Sequence, residues 1–186
     1  MKTIYLAGGC FWGMEALLRG LPGVAEVTVG YANGDRPDHA TYEAVCTGVT
    51  GFRETVRVDY DPETGSLEQL LFAFFAVVDV TKYNRQGADI GSQYQSGIYW
   101  TDGDTEETVR KIAALEAAAA PVFAVELKPL SCFYPAEDHH QRYLEKHPTG
   151  YCHISPLTRG AVARYPFSPK AYTQPAARLL EAFRQQ

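Results

Sequence analysis

The order of elements along this chain predicts an α+β fold, a mixed sheet with packed helices arranged as a ferredoxin-like split βαβ sandwich. Three observations carry that expectation. Apolar patterns of period two and period 3.6 follow one another as strand, helix, strand, strand, helix, strand, helix, strand. The 186 residues suffice for one core, and 46% hydrophobic against 21% charged residues is the balance of a globular domain. No internal repeat or low-complexity linker divides the chain.

The elements follow in order. TIYLA (3–7) alternates and reads as a strand. Met14, Leu17, Leu18 and Leu21 recur at i, i+3, i+4 and i+7, a helix stripe ended by Pro22-Gly23. Val27, Val29 and Tyr31 share a strand face, and ANGDRPDHATY (32–42) is a long polar loop. RETVRVDY (53–60) is a strand, closed by the turn DPETG (61–65). Ser66 and Gln69 form a capping box before a helix whose Leu67, Leu70, Leu71, Phe74, Phe75 and Val78 make a wide apolar face. Residues 79–95 form a second long loop. SGIYWT (96–101) is a strand, and Asp104 with the acids at 106–107 opens a helix to about Ala120. FAVELK (123–128) is a strand, and AEDHHQRYLEK (136–146) reads as one short helix. A proline-rich tail follows from Pro148, then a last helix from Pro175 with Ala176, Leu179, Leu180 and Phe183 on one face. Long loops inside a compact domain are more often functional than decorative.

Charge and cysteine usage narrow the function. A net charge of −5 without a basic run disfavours nucleic acid and anionic membranes as partners. No apolar run is long enough to span a bilayer, and MKTIYLAGGCFWG is a poor signal peptide, so a cytoplasmic location is expected. No exposed apolar stripe is left over, which points to a monomer. Four cysteines are too few for a disulfide scaffold; in a reducing compartment they are core thiols, metal ligands or redox groups.

Two residues stand out on chemistry. In AGGCFWGMEA (7–16), Gly8 and Gly9 permit a tight strand-to-helix turn that leaves Cys10 near a helix N-terminus. Free N–H groups and the helix dipole favour a thiolate there, whereas an ordinary thiol is only roughly 3% ionised at pH 7. A small buried hydrophobe is the competing reading. Phe11 and Trp12 are either core or the aromatic walls of a site for a small, soft group such as a sulfur-bound methyl. In RETVRVDY, Glu54 shares a face with Val56, Val58 and Tyr60, opposite the charged face of Arg53, Thr55, Arg57 and Asp59. A carboxyl on an apolar face is held protonated and serves as a general acid near neutral pH, unless it bends back to solvent at an edge.

GCFWG (9–13), GYANG (30–34), TYEAVCTGVTG (41–51), YDP (60–62), NRQGADIGSQYQSGIY (84–99), FYPAEDHHQRYL (133–144) and GYC (150–152) occur in that order. Together they resemble the methionine sulfoxide reductase A family over roughly residues 4–152. The resemblance implies reduction of methionine S-sulfoxide, on proteins and as the free amino acid, as repair of oxidative damage. It implies Cys10 as nucleophile, Phe11 and Trp12 as the methyl pocket, and Glu54 as proton donor to the sulfoxide oxygen. Tyr42 and Tyr94 would bind that oxygen, Asp89 would be the structural acid of the loop, and Cys152 would resolve a Cys10 sulfenic acid as a disulfide. Thioredoxin would be the external reductant, with no metal or organic cofactor. On this basis residues 1–152 form the catalytic domain, and 153–186 are a C-terminal extension packed on it.

The chain departs from the family pattern at the pocket's edge. Phe52 stands for a histidine, Val78-Asp79-Val80 for His-Asp-Pro, Gln95 for an arginine, and HATY (39–42) for NPTY. These changes put substrate preference and local pKa tuning in question, and they leave open a module that binds oxidised methionine without turnover. A thiol hydrolase using Cys10 with a histidine base is a third, weaker reading. Cys46 and Cys132 are expected to be structural thiols, with Cys132 a possible substitute resolver. A zinc site from Cys132, Glu137, His139, His140 and Cys152 is disfavoured, because His140 shares a face with Tyr143, Leu144 and His147 and so reads as a packed histidine.

Overall fold

The computed structural model describes residues 1–186. Eight strands are present: β1 (Lys2–Ala7), β2 (Val24–Ala32), β3 (Arg53–Tyr60), β4 (Arg85–Gln86), β5 (Asp89–Ile90), β6 (Gly97–Trp100), β7 (Glu126–Pro129) and β8 (Phe133–Pro135). Seven helices join them: α1 (Phe11–Arg19), α2 (Tyr42–Val45), α3 (Leu67–Val77), α4 (Gly103–Ala118), α5 (Tyr143–Lys146), α6 (Pro156–Arg164) and α7 (Ala176–Arg184). The six-stranded sheet runs β7-β6-β1-β3-β2-β8. Its inner four strands are antiparallel, and β7 joins β6 in parallel after the α4 crossover. The β1-α1-β2 and β3-α3-β6 units interleave on that sheet, which is the expected α+β split βαβ arrangement.

Register follows from the apolar alternation. Ile4 sits opposite Val58 and Leu6 opposite Val56, so one sheet face buries Val27, Val29, Val56 and Val58 under α1 and α3. The other face is not wholly solvated as its charges suggested: Thr55 is buried, and Tyr5, Ala7, Ala32 and Tyr99 form a second small cluster beneath Phe133. Ser66 caps α3 by accepting the Gln69 N–H, as the capping box predicted.

The stretch 136–146 is not the single helix its composition suggested. A 3₁₀ turn covers Asp138–His140, Arg142 adopts the left-handed region at φ 52°, and only Tyr143–Lys146 is α-helical. Tertiary hydrogen bonds override propensity here: Gln141 binds both the N–H and the carbonyl of Val29, and Glu15 accepts the Arg142 N–H at 2.8 Å. Further elements escaped the sequence patterns: α2 falls where no element was read, and β4 and β5 lie inside the loop 79–95. β8 is three residues held against β2 at Gly30–Ala32, and α6 lies inside the proline-rich tail.

The tail packs back on the helices. α6 lies on α1 and α3, and α7 lies on α3. Phe72 of α3 stacks on Tyr165, and the buried Glu116 of α4 accepts the Tyr172 hydroxyl at 2.5 Å and the Ala176 N–H at 2.8 Å. The chain from 153 onward therefore forms a backing for the segment that carries Cys152.

Candidate active site

The β1–α1 connection puts Cys10 at the N-cap of α1, with φ −57° and ψ 123°. Gly9 makes the turn possible through a left-handed φ of 86°, where a Cβ would also strike the Gln86 side chain. Cys10 is only 6% exposed and receives backbone N–H groups from Trp12 and Gly13.

The thiolate expected at this helix start is not the resting state. Burial pushes the Cys10 thiol well above its ordinary range, and the Glu54 carboxylate pushes it further. The two N–H groups pull the other way and are outweighed. Desolvation, which the sequence pattern did not weigh, exceeds the helix-end effect.

Glu54 lies opposite Tyr31 in the β2–β3 register and is 2% exposed, inside as the strand pattern predicted. Its Oε1 accepts the Phe11 N–H at 3.2 Å, which ties the carboxyl to the same first turn that holds Cys10. Burial raises its pKa to about 8, the Phe11 hydrogen bond lowers it, and Asp89 adds a small upward push. Glu54 is therefore mostly protonated at neutral pH, and then its repulsion of a Cys10 thiolate is absent. The pair is coupled so that the acid form of one eases ionisation of the other.

Aromatic groups wall the site. The Trp12 indole N–H donates to His140 Nδ1 at 3.1 Å, and its ring stacks on Tyr143 at 3.7 Å between centroids. Phe11 is buried in the main core against Tyr31 and His140, while Trp12 is half-buried and packs at its edge. Tyr42 packs on His140 at 4.4 Å. Glu137 sets Tyr42 in place: Oε1 accepts the Tyr31 hydroxyl at 2.8 Å, and Oε2 accepts the Tyr42 backbone N–H at 3.0 Å.

The loop 79–95 brings in the remaining groups. Gln95, where the family pattern has an arginine, is buried and bonds the Ser96 and Ala124 carbonyls and the Asn84 N–H. Gln86 bonds both the N–H and the carbonyl of Asp79. These two amides hold the loop so that Tyr94 faces Glu54, Tyr42, Asp89 and Cys10. Burial raises the Tyr42 and Tyr94 hydroxyls far above their usual range, so both stay protonated donors. Phe52, in the histidine's place, is buried edge-on to Tyr31 and Tyr134.

Cys152 reaches the site from the C-terminal side. A Cβ on Gly13 would sit 3.0 Å from Cys152 Sγ, so the missing side chain lets this sulfur lie one helical turn from Cys10. The Tyr151 hydroxyl donates to Asp89 Oδ2 at 2.9 Å, and His153 Nε2 bonds the Gly8 carbonyl at 2.9 Å. All four cysteines are free thiols.

The structure thus assembles Cys10, Phe11, Trp12, Tyr42, Glu54, Asp89, Tyr94 and Cys152 at one place. It adds His140, Glu137, Tyr143, Tyr151 and Gln86, to which sequence reasoning gave no part in the site. Their signal was available in the density of polar and aromatic residues in NRQGADIGSQYQSGIY, FYPAEDHHQRYL and GYC. Cys46 is a correction. It caps the one-turn α2 and is exposed, while its neighbour Val45 takes the core position. Cys132 is half-buried beside the Gly34 carbonyl. No histidine hydrogen-bonds Cys10: His140 Nδ1 is committed to Trp12 and His153 to Gly8. No group of three or more His, Cys, Asp or Glu residues is placed to hold a metal ion. No helix is long and apolar enough to cross a membrane.

The family model described as peptide methionine sulfoxide reductase matches residues 2–167. A Clostridium perfringens protein named peptide methionine sulfoxide reductase MsrA is 48% identical over 155 residues, covering 83% of this chain and 98% of that protein. The crystal structure of Mxr1 from Saccharomyces cerevisiae in reduced form superposes with a TM-score of 0.76 at 38% identity, over 81% of this chain and 88% of that one. Mxr1 in complex with Trx2 aligns at 26% identity with a TM-score of 0.53, over 76% of this chain and 84% of that one. The chain belongs to the peptide methionine sulfoxide reductase family, oxidoreductases that return methionine sulfoxide to methionine.

Proposed function

We propose that this protein reduces methionine S-sulfoxide, in oxidised proteins or peptides and as the free amino acid, through a Cys10 sulfenic acid and a Cys10–Cys152 disulfide. The observation that carries the reading is the Phe11 N–H to Glu54 bond of 3.2 Å, which seats a protonated carboxyl over the turn that presents the thiol. Trp12 and the Phe11 edge accept the sulfur-bound methyl group. Glu54 gives its proton to the sulfoxide oxygen, with the Tyr42 and Tyr94 hydroxyls as further donors to it. Asp89 supports this set as the acid of the loop, tied to Tyr151.

The Cys10 sulfur attacks the sulfoxide sulfur and takes up the oxygen, so methionine leaves and Cys10 becomes S–OH. Cys152 then attacks the Cys10 sulfur. The S–S bond forms, the S–O bond breaks, and hydroxide leaves as water with the proton from Cys152. A dithiol of the thioredoxin type returns both cysteines to thiols by exchange. The Trx2 complex of Mxr1 supports that partner class. Every step uses side chains of this chain and an external thiol.

Cys152→Ser is expected to release about one methionine per protein and then stall with thioredoxin as reductant. Methionine counted against time, with and without a small thiol, checks this. Sustained multiple turnover by Cys152→Ser with thioredoxin alone would remove Cys152 from the cycle.

A further inference from the structure

We propose that Arg159 of α6 is a positioning residue for disulfide closure, holding the Cys152 sulfur beside the turn that bears Cys10 through a charge-assisted contact. The inference rests on the reading of Cys152 as resolver.

The Arg159 Nη1 lies 3.7 Å from Cys152 Sγ, and this is the sole side-chain hydrogen bond that Arg159 makes. It is half-buried and forms no ion pair, although the cleft it lines also contains Glu15 and Glu145. Those carboxylates are engaged elsewhere. Glu15 holds Arg19 at 3.0 Å and the Arg142 N–H at 2.8 Å. Glu145 lies 3.8 Å from Arg19 and 3.9 Å from Arg142. Two arginines occupy the two acids, and the third turns its charge to the sulfur.

Cys152 S–H in turn donates to the Ile154 carbonyl at 2.8 Å. A carbonyl acceptor favours the thiol, and a guanidinium favours the thiolate. The sulfur is therefore held between two opposed partners, beside Gly13 on the turn that bears Cys10. The other groups facing it are few. Cys10 lies at the N-cap of α1, Asp89 of β5 is tied to the neighbouring Tyr151, and Glu15, Arg142 and Glu145 line the cleft on the far side of Arg159. His153 is kept neutral by burial, and α3 contributes Ala76 and Val77 next to it. Arg159 is the one cation in hydrogen-bond contact with the sulfur.

Closure is balanced without an added oxidant: Cys10 S–OH and Cys152 S–H give the disulfide and water. Thiolate supply and thiolate nucleophilicity trade off. Loss of the guanidinium removes the one cation in contact with the sulfur, and closure at pH 7 is expected to be about threefold slower. Above the range where both thiols are fully ionised, the order equalises or reverses. A residue with a merely structural role would not produce that crossover.

The test uses the full chain and carbamidomethylation by iodoacetamide, followed at the Cys152 peptide from pH 6 to pH 10.5 in a Cys10→Ser background. Arg159→Met and Arg159→Gln are expected to react about threefold more slowly at pH 7 and at least as fast at pH 10.5, with Arg159→Lys between. Melting curves identify any variant that fails to fold, and the Gln and Lys variants then carry the comparison. Profiles that superpose across the pH range overturn the proposal. In chains with Cys10, closure is read as the ratio of disulfide formation to methionine release after one equivalent of sulfoxide. A ratio about threefold lower at pH 7 supports the assignment, and an unchanged ratio overturns it. If the chain with Arg159 closes no Cys10–Cys152 disulfide at all, the resolver reading fails and this inference fails with it.

Discussion

Cys10→Ser is expected to abolish methionine formation, a loss of at least about 10⁴-fold. A serine hydroxyl occupies the same N-cap and keeps the N–H groups of Trp12 and Gly13, so the fold is retained. It is neither nucleophilic toward sulfur nor able to store the oxygen as a sulfenic acid. Sulfur is soft and polarisable, and no other thiol occupies the α1 N-cap beside Glu54: Cys46 is exposed on the C-cap of α2, Cys132 sits beside Gly34, and Cys152 lies next to Gly13 with its S–H on the Ile154 carbonyl. Methionine measured over hours with thioredoxin and with a small thiol checks both reductant routes. Turnover within a hundredfold of the parent chain would place the chemistry elsewhere.

Glu54→Gln is expected to slow the first methionine release by about 10²- to 10⁴-fold, the usual scale for a positioned general acid. The amide has the shape of the protonated acid, and its oxygen still accepts the Phe11 N–H, so geometry is preserved while the proton is lost. The pH dependence separates the two proteins. Glu54 titrates at about 8, so single-turnover release by the parent chain falls as pH rises through that value. The Gln variant lacks this limb.

Stability moves in the same window. The folded pKa lies above the ordinary carboxyl value, so the folded protein keeps a proton that the unfolded chain releases. Stability is therefore lost as pH rises from about 4.5 toward 8, by on the order of a few kcal/mol, and Glu54→Gln flattens that slope. A parent release rate that stays constant from pH 6 to pH 9.5 would contradict the assignment of Glu54 as the acid.

Much of this site was legible because its residues sit where local rules speak clearly. Cys10 follows a glycine pair at a strand-to-helix turn, and Glu54 breaks the alternation of an otherwise plain strand. The sandwich was legible for the same reason, since strand and helix periods alternate cleanly from 3 to 120. Failures came where tertiary contacts dominate. Residues 136–146 have helical composition, yet the bonds from Gln141 to Val29 and from Arg142 to Glu15 force a left-handed break. β8 is three residues ending in proline and exists through its pairing with β2. α6 did announce itself, with Ser155 as cap and Pro156 at the first helical position, but the surrounding prolines masked the signal.

The state of Cys10 was the instructive miss. Helix position argued for a thiolate, and burial beside a carboxyl argued against it more strongly. The departures Phe52 and Gln95 also gained a physical reading. Phe52 fills an apolar slot between Tyr31 and Tyr134, and Gln95 replaces charge with a neutral amide that pins the loop bearing Tyr94.

The central claim is that a Cys10 sulfenic acid forms on this chain and closes on Cys152. The direct measurement mixes the reduced protein with one equivalent of each methionine sulfoxide epimer, without reductant, and counts methionine formed, free thiols lost and the linked peptides. The expected result is about one methionine and two thiols lost per protein, from the S epimer alone, with Cys10 joined to Cys152. No methionine from either epimer, or methionine with Cys10 and Cys152 left unlinked, would contradict it.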